Sequence, residues 1–84
     1  MKELLIRLRE AEQRANDAED AYAVDCENEE AENEFDRAYH AQMEIFNEAV
    51  KAIVNLTGGK VNEKTASMML RMRRTEVERL VAML

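Results

Sequence analysis

The chain has no proline in 84 residues, and its only glycines are the adjacent pair Gly58-Gly59. Proline and glycine are the strongest helix breakers and the usual punctuation of β-rich folds. Long stretches on either side of residues 58–59 are therefore free to stay helical. Twelve alanines and many Glu, Arg, Leu and Met residues reinforce this, because these side chains lose little conformational freedom in a helix. The expectation is an all-α fold.

Apolar spacing divides that fold into helices. Leu4, Leu8, Ala11, Ala15, Ala18 and Tyr22 follow one another at steps of four and three, which is one buried seam of a helix over about residues 2–24. The spacing resumes as Ala31, Phe35, Ala38, Gln42, Ile45, Ala49, Ala52 and Leu56, with Tyr39, Met43, Phe46, Val50 and Ile53 widening the stripe. This predicts a second helix over about 29–56. Between them Asp25 to Glu30 breaks the phase and offers Asp25 or Asn28 as an N-cap, followed by acids that suit the positive end of a helix dipole.

Two arrangements satisfy the pattern. A turn near Glu27 makes an antiparallel hairpin. Without the turn, one helix of about 55 residues, roughly 80 Å long, pairs with a second chain as a coiled coil. The hairpin sets residue i against about residue 54 − i, so small side chains oppose large ones, as a close-packed core requires. Ala11 faces Met43, Ala15 faces Tyr39, Ala18 faces Phe35 or Asp36, and Tyr22 lies near Ala31 or Glu32. An in-register parallel dimer would stack alanine on alanine and leave voids, so the hairpin is preferred; an antiparallel dimer of continuous helices fits too. The fold-back also gathers Leu4, Leu5 and Leu8 beside Phe46, Val50, Ile53 and Leu56 at the open end. Gly58 can close the second helix in a left-handed conformation, and Asn62 or Thr65 can cap a third over about 62–83. Its apolar side holds Ala66, Met69, Leu70, Val77, Leu80, Val81 and Leu84. The expectation is one helical domain, 1–84, with stability marginal for its size and a dimer as one outcome.

Charge separates the chain at the glycine pair. Residues 1–56 carry fifteen Asp or Glu against six Lys or Arg, a balance of −9, whereas residues 57–84 balance at +3. Asp17 to Asp36 contains ten acids and no base. The acidic 1–56 and the basic 57–84 are thus chemically distinct parts of the expected domain.

Catalytic chemistry finds few residues to use. There is one histidine and one cysteine, and Cys26 has no basic neighbour to activate it as a nucleophile. Glu32, Asp36, His40, Glu44 and Glu48 recur every fourth residue. Such a face reads as solvated, because metal sites in helical bundles draw ligands from several helices, including Glu-x-x-His pairs that are missing here. Thr57-Gly58-Gly59-Lys60 lacks the full spacing of a phosphate-binding loop and is assigned to helix termination. The expectations are no enzyme, no cofactor and no metal. A lone cysteine, no signal-like first segment and no membrane-spanning apolar run lead to a cytoplasmic expectation.

Residues 63–81, above all Ala66, Leu70, Met72, Val77 and Leu80, resemble a helix-turn-helix DNA-binding unit. That resemblance implies a second helix in the major groove presenting Thr75, Glu76, Glu78 and Arg79. Arg71 stands where that unit usually has its turn glycine, and spacing alone supports one uninterrupted helix. The whole chain resembles, in size, helicity and charge but in no shared motif, the small acidic inhibitors encoded by phages and mobile elements, such as anti-CRISPR and DNA-mimic proteins. That likeness implies a protein partner with a basic surface, such as a nucleic-acid-handling complex.

Three functions follow as expectations. The first is a non-catalytic inhibitor or adaptor that binds through Asp25, Glu27, Glu29, Glu30, Glu32, Glu34 and Asp36. The second is a small dimeric DNA-binding regulator using Arg71, Arg73, Arg74 and Arg79, which the net charge of −6 opposes. The third is a coiled-coil assembly module. Met69, Val77 and Leu80 are the expected homodimer surface.

Overall fold

The computed structural model describes residues 1–83, and Leu84 lies outside the described residues. Among these are four helices: α1 (Lys2–Val24), α2 (Glu29–Leu56), α3 (Glu63–Met72) and α4 (Arg74–Ala82). The fold is all-α.

α1 and α2 form the antiparallel hairpin, and the turn between them uses no glycine. The Asp25 amide still donates to Ala21 O (3.3 Å), and the Asn28 amide donates to Asp25 O (3.2 Å). The Asn28 carboxamide oxygen then accepts from the amides of Glu30 and Ala31 at 2.9 and 3.4 Å, so Asn28 is the N-cap. Glu29, Glu30 and Glu32 fill the first turn of α2, where negative charge offsets the helix dipole.

Cross-hairpin contacts join Arg7 to Glu48 and the ring of Tyr22 to that of Phe35. Both contacts lie within three residues of the expected register. Tyr22 meets Phe35 at 6.1 Å between centroids, and Phe35 meets Tyr39 edge-on at 6.3 Å. Ala31, the expected neighbour of Tyr22, stands one turn back from Phe35 on the same face of α2. Tyr39, the expected neighbour of the buried Ala15, is itself 48% exposed.

α2 ends on both glycines: Gly58 has φ 63° and Gly59 φ 83°. The Gly59 amide donates to Val54 O (2.9 Å), while the Thr57 hydroxyl lies within reach of the Ile53 and Val54 carbonyls and accepts from the Val61 amide. Asn62 then caps α3, its side-chain oxygen accepting from the Thr65 amide at 2.8 Å.

The expected third helix over 62–83 is two helices. It breaks at Arg73, whose φ of −133° and ψ of 41° are non-helical. Packing supplies the reason. α3 lies against α2 and α4 against α1, so the chain must turn to bury Ala66 and Leu70 on one partner and Val77 and Val81 on the other. The Nε–H of Arg74 donates to Leu70 O at 2.8 Å, a side-chain donor at a carbonyl that an unbroken helix would satisfy with the amide four residues on.

All four helices meet in one core at the open end of the hairpin, built from Leu5, Leu8, Phe46, Ala49, Val50, Ile53, Ala66, Leu70, Val77 and Val81. Leu8 and Leu70 are its largest wholly enclosed side chains. Ala11 and Ala15 extend burial along the hairpin, and from residue 16 to residue 45 no side chain is fully buried. The molecule is thus a four-helix base with a two-helix arm, 46 × 20 × 19 Å overall. Its radius of gyration is 14.8 Å, against about 12 Å for a compact chain of this length. No helix among the described residues is long and apolar enough to cross a membrane.

Candidate functional site

The arm carries the acidic run. α1 supplies Asp17, Glu19 and Asp20, the turn supplies Asp25 and Glu27, and α2 supplies Glu29, Glu30, Glu32, Glu34 and Asp36. The seven acids from Asp25 to Asp36 expected to bind a partner are all exposed, gathered at the tip and the adjoining turns of α2. Cys26 is exposed among them, and Val24 beside it is 88% exposed.

The electrostatics of arm and base differ. The ion pairs among the described residues are Arg7–Glu48, Arg9–Glu78, Arg73–Glu76 and Arg74–Glu12, and none uses an acid of 17–36. Within the arm, the Asp17 carboxylate accepts from the side-chain Nε2 of Gln13 at 3.0 Å. Like charges recur at helix-neighbour spacing: Glu30 with Glu34, Glu32 with Asp36, and Glu29 with Glu32. Each such pair costs about 0.2–0.5 kcal/mol. The arm bears this repulsion without a buried core beneath it, so its charge works against its own folding.

The carboxylate–histidine row lies on the exposed side of α2. His40 Nδ1 sits 2.7 Å from Asp36 O, and Glu48 reaches Arg7 at 3.7 Å. Among the described residues no three His, Cys, Asp or Glu converge as a metal-holding group.

The basic residues are brought to the base, where much of their charge is engaged. Arg74 is half-buried and clamps both carboxylate oxygens of Glu12 at 2.7 and 3.0 Å, so it joins α4 to α1 and is not available to a nucleic acid. The Arg71 guanidinium lies 5.2 Å over the Phe46 ring, and Arg73 reaches Glu76 at 3.7 Å. Arg79 is exposed with no ion pair among the described residues.

The expected dimer surface is divided by the same packing. Val77 is 3% exposed inside the chain's own core, and Met69 packs against that core. Of the three, Leu80 is on the surface, at 57% exposure.

Sequence reasoning missed two features. One is Glu12, whose role depends on Arg74 arriving from 62 residues away. The other is an open groove of about 790 Å³ between α1 and α2, lined by those two helices alone. Its signal was present in the alanines at 11, 18, 21, 38 and 41, of which 11, 18 and 38 also read as ordinary seam positions. Comparison with protein-family models, curated proteins and solved structures finds no match to this chain.

Proposed function

We propose that the chain is a non-catalytic binding protein, an inhibitor or adaptor whose acidic arm occupies a basic, nucleic-acid-binding surface of a protein partner. The observation that carries this reading is an arm of exposed acids outside every ion pair described, raised on two helices with no core of their own. Such a field steers a cationic partner and weakens as salt shortens its reach, about 8 Å at physiological ionic strength. The likeness in size, helicity and charge to small phage-encoded DNA-mimic inhibitors supports the same reading. The competing account is a solubility device, for which charge alone suffices.

Displacement tests it. Proteins from the native cell are held on DNA-cellulose at low salt, and the purified chain is passed over them. The expected outcome is release of a DNA-binding protein, less as salt rises, with the joint replacement of Glu27, Glu29, Glu30, Glu32 and Glu34 by Gln releasing far less. Equal release by the five-Gln variant would show that the arm does not bind.

The break at Arg73 supports a second reading, a DNA-binding regulator that uses α3 and α4 as a helix-turn-helix. Of its expected cations, Arg71, Arg73 and Arg79 are exposed. Gel-shift titration of duplex DNA with the chain and with Arg79→Ala separates the readings, since the regulator requires a salt-sensitive shift that the variant weakens.

A further inference from the structure

The groove between α1 and α2 lies away from α3 and α4, neither of which contributes to its lining. Ala11, Ala18, Ala21, Ala38 and Ala41 form its apolar floor. Alanine allows a further helix to approach toward the short end of the usual 8–10 Å range between packed helices. Along the α1 rim the charges alternate in sign: Arg7, Glu10, Arg14, Asp17. Glu10, Arg14 and Asp17 take part in no ion pair among the described residues.

This row is its own complement in one orientation. Laid antiparallel on an identical row about the point midway between Glu10 and Arg14, Arg7 meets Asp17 and Glu10 meets Arg14, and each pair occurs twice. Laid parallel and in register, every charge meets its own kind. A two-fold axis is the symmetry that brings the same patch of two chains together antiparallel. We infer that a second copy of this chain occupies the groove, α1 against α1 antiparallel, with Glu10 of each chain paired to Arg14 of the other. The contact gives α1 a further packing partner on a face to which neither α3 nor α4 contributes. It places the two acidic tips at opposite ends of the dimer, and it does not depend on what those tips bind.

Charge exchange tests the register. By light scattering at micromolar concentration the unaltered chain should have twice the 9.7 kDa of one chain. Arg14→Glu and Glu10→Arg should each weaken the dimer more than tenfold, because like charges then oppose across the axis. Both positions are exposed, and circular dichroism should show native helix content in each variant. Mixing the two variants should restore a dimer containing one of each, since the acidic row of one now faces the basic row of the other. A monomeric unaltered chain, single variants that stay dimeric, or a mixture that stays monomeric would each overturn the proposal. A second measurement needs no charge reversal. Arg14→Lys treated with a zero-length carbodiimide should yield a covalent dimer joined between positions 14 and 10, and joining elsewhere alone would overturn the pairing.

Discussion

The base and the arm share α1 and α2 but hold them together by different means. In the base each of these helices has a second neighbour: α4 lies on α1 and α3 on α2, and the apolar side chains of all four interlock. In the arm each helix has only the other, the apolar contacts are alanines and half-buried aromatic rings, and acids cover the outside. Apolar burial contributes about 25 cal/mol per Å², so a region with fully enclosed leucines has a large term that a two-helix ribbon lacks. The difference teaches that helix content alone says little about where stability resides. The base anchors the fold, and the arm is the region in which charge can be concentrated at small structural risk.

Leu8→Ala should have the largest effect. Leu8 is fully enclosed where α1 enters the base, and truncating such a leucine costs about 2–5 kcal/mol. Urea denaturation should show a midpoint far below that of the unaltered chain; a loss below ~1 kcal/mol would mean the base is not the stabilising region. Ala15→Leu probes the place where the base gives way to the arm. Ala15 is buried although the residues beyond it are not, and added methylenes there should destabilise by about 1–3 kcal/mol. An unchanged melting temperature would move the boundary toward the base.

Arg74→Ala removes a half-buried, two-pronged contact with Glu12 together with the donor to Leu70 O. Hydrogen bonds to charged groups contribute about 1.5–3 kcal/mol when well shielded, and the partial exposure of this pair places the expected loss near 1–2 kcal/mol. Because the contact lies between α1 and α4, hydrogen exchange should quicken in α4 before it does so in α2. Uniform quickening would show that α4 is not separately held. The smallest effect belongs to the arm. Replacing Glu27, Glu29, Glu30, Glu32 and Glu34 with Gln should leave the melting temperature unchanged or raise it, since each relieved neighbour pair returns about 0.2–0.5 kcal/mol. A fall of several degrees would mean these acids support the fold, and the contrast between arm and base would be lost.

The helix ends were legible because caps and breakers act over a few residues. Asn28 and Asn62 accept amide hydrogens two or three positions on, and the glycine pair turns the chain at its own φ angles. The acidic tip was legible too, because a run of ten acids without a base cannot be buried and must face water. In the hairpin, apolar spacing identified which faces meet, but the register followed from how Tyr22, Phe35 and Tyr39 fit one another.

What the sequence determined by itself, then, was helix on either side of residues 25–30, a short choice of caps for α2 and α3, and the exposed position of the acids, all consequences of near-neighbour chemistry. Only the tertiary structure decided the break at Arg73, the enclosure of Val77, the use of Arg74 as a clamp and the open groove beside α1. Along residues 62–83 the apolar spacing suits one straight helix as well as two short ones. The choice depends on whether a single partner or both hairpin helices must be covered, and that is set by contacts such as Arg74 to Glu12, between residues 62 positions apart in the chain.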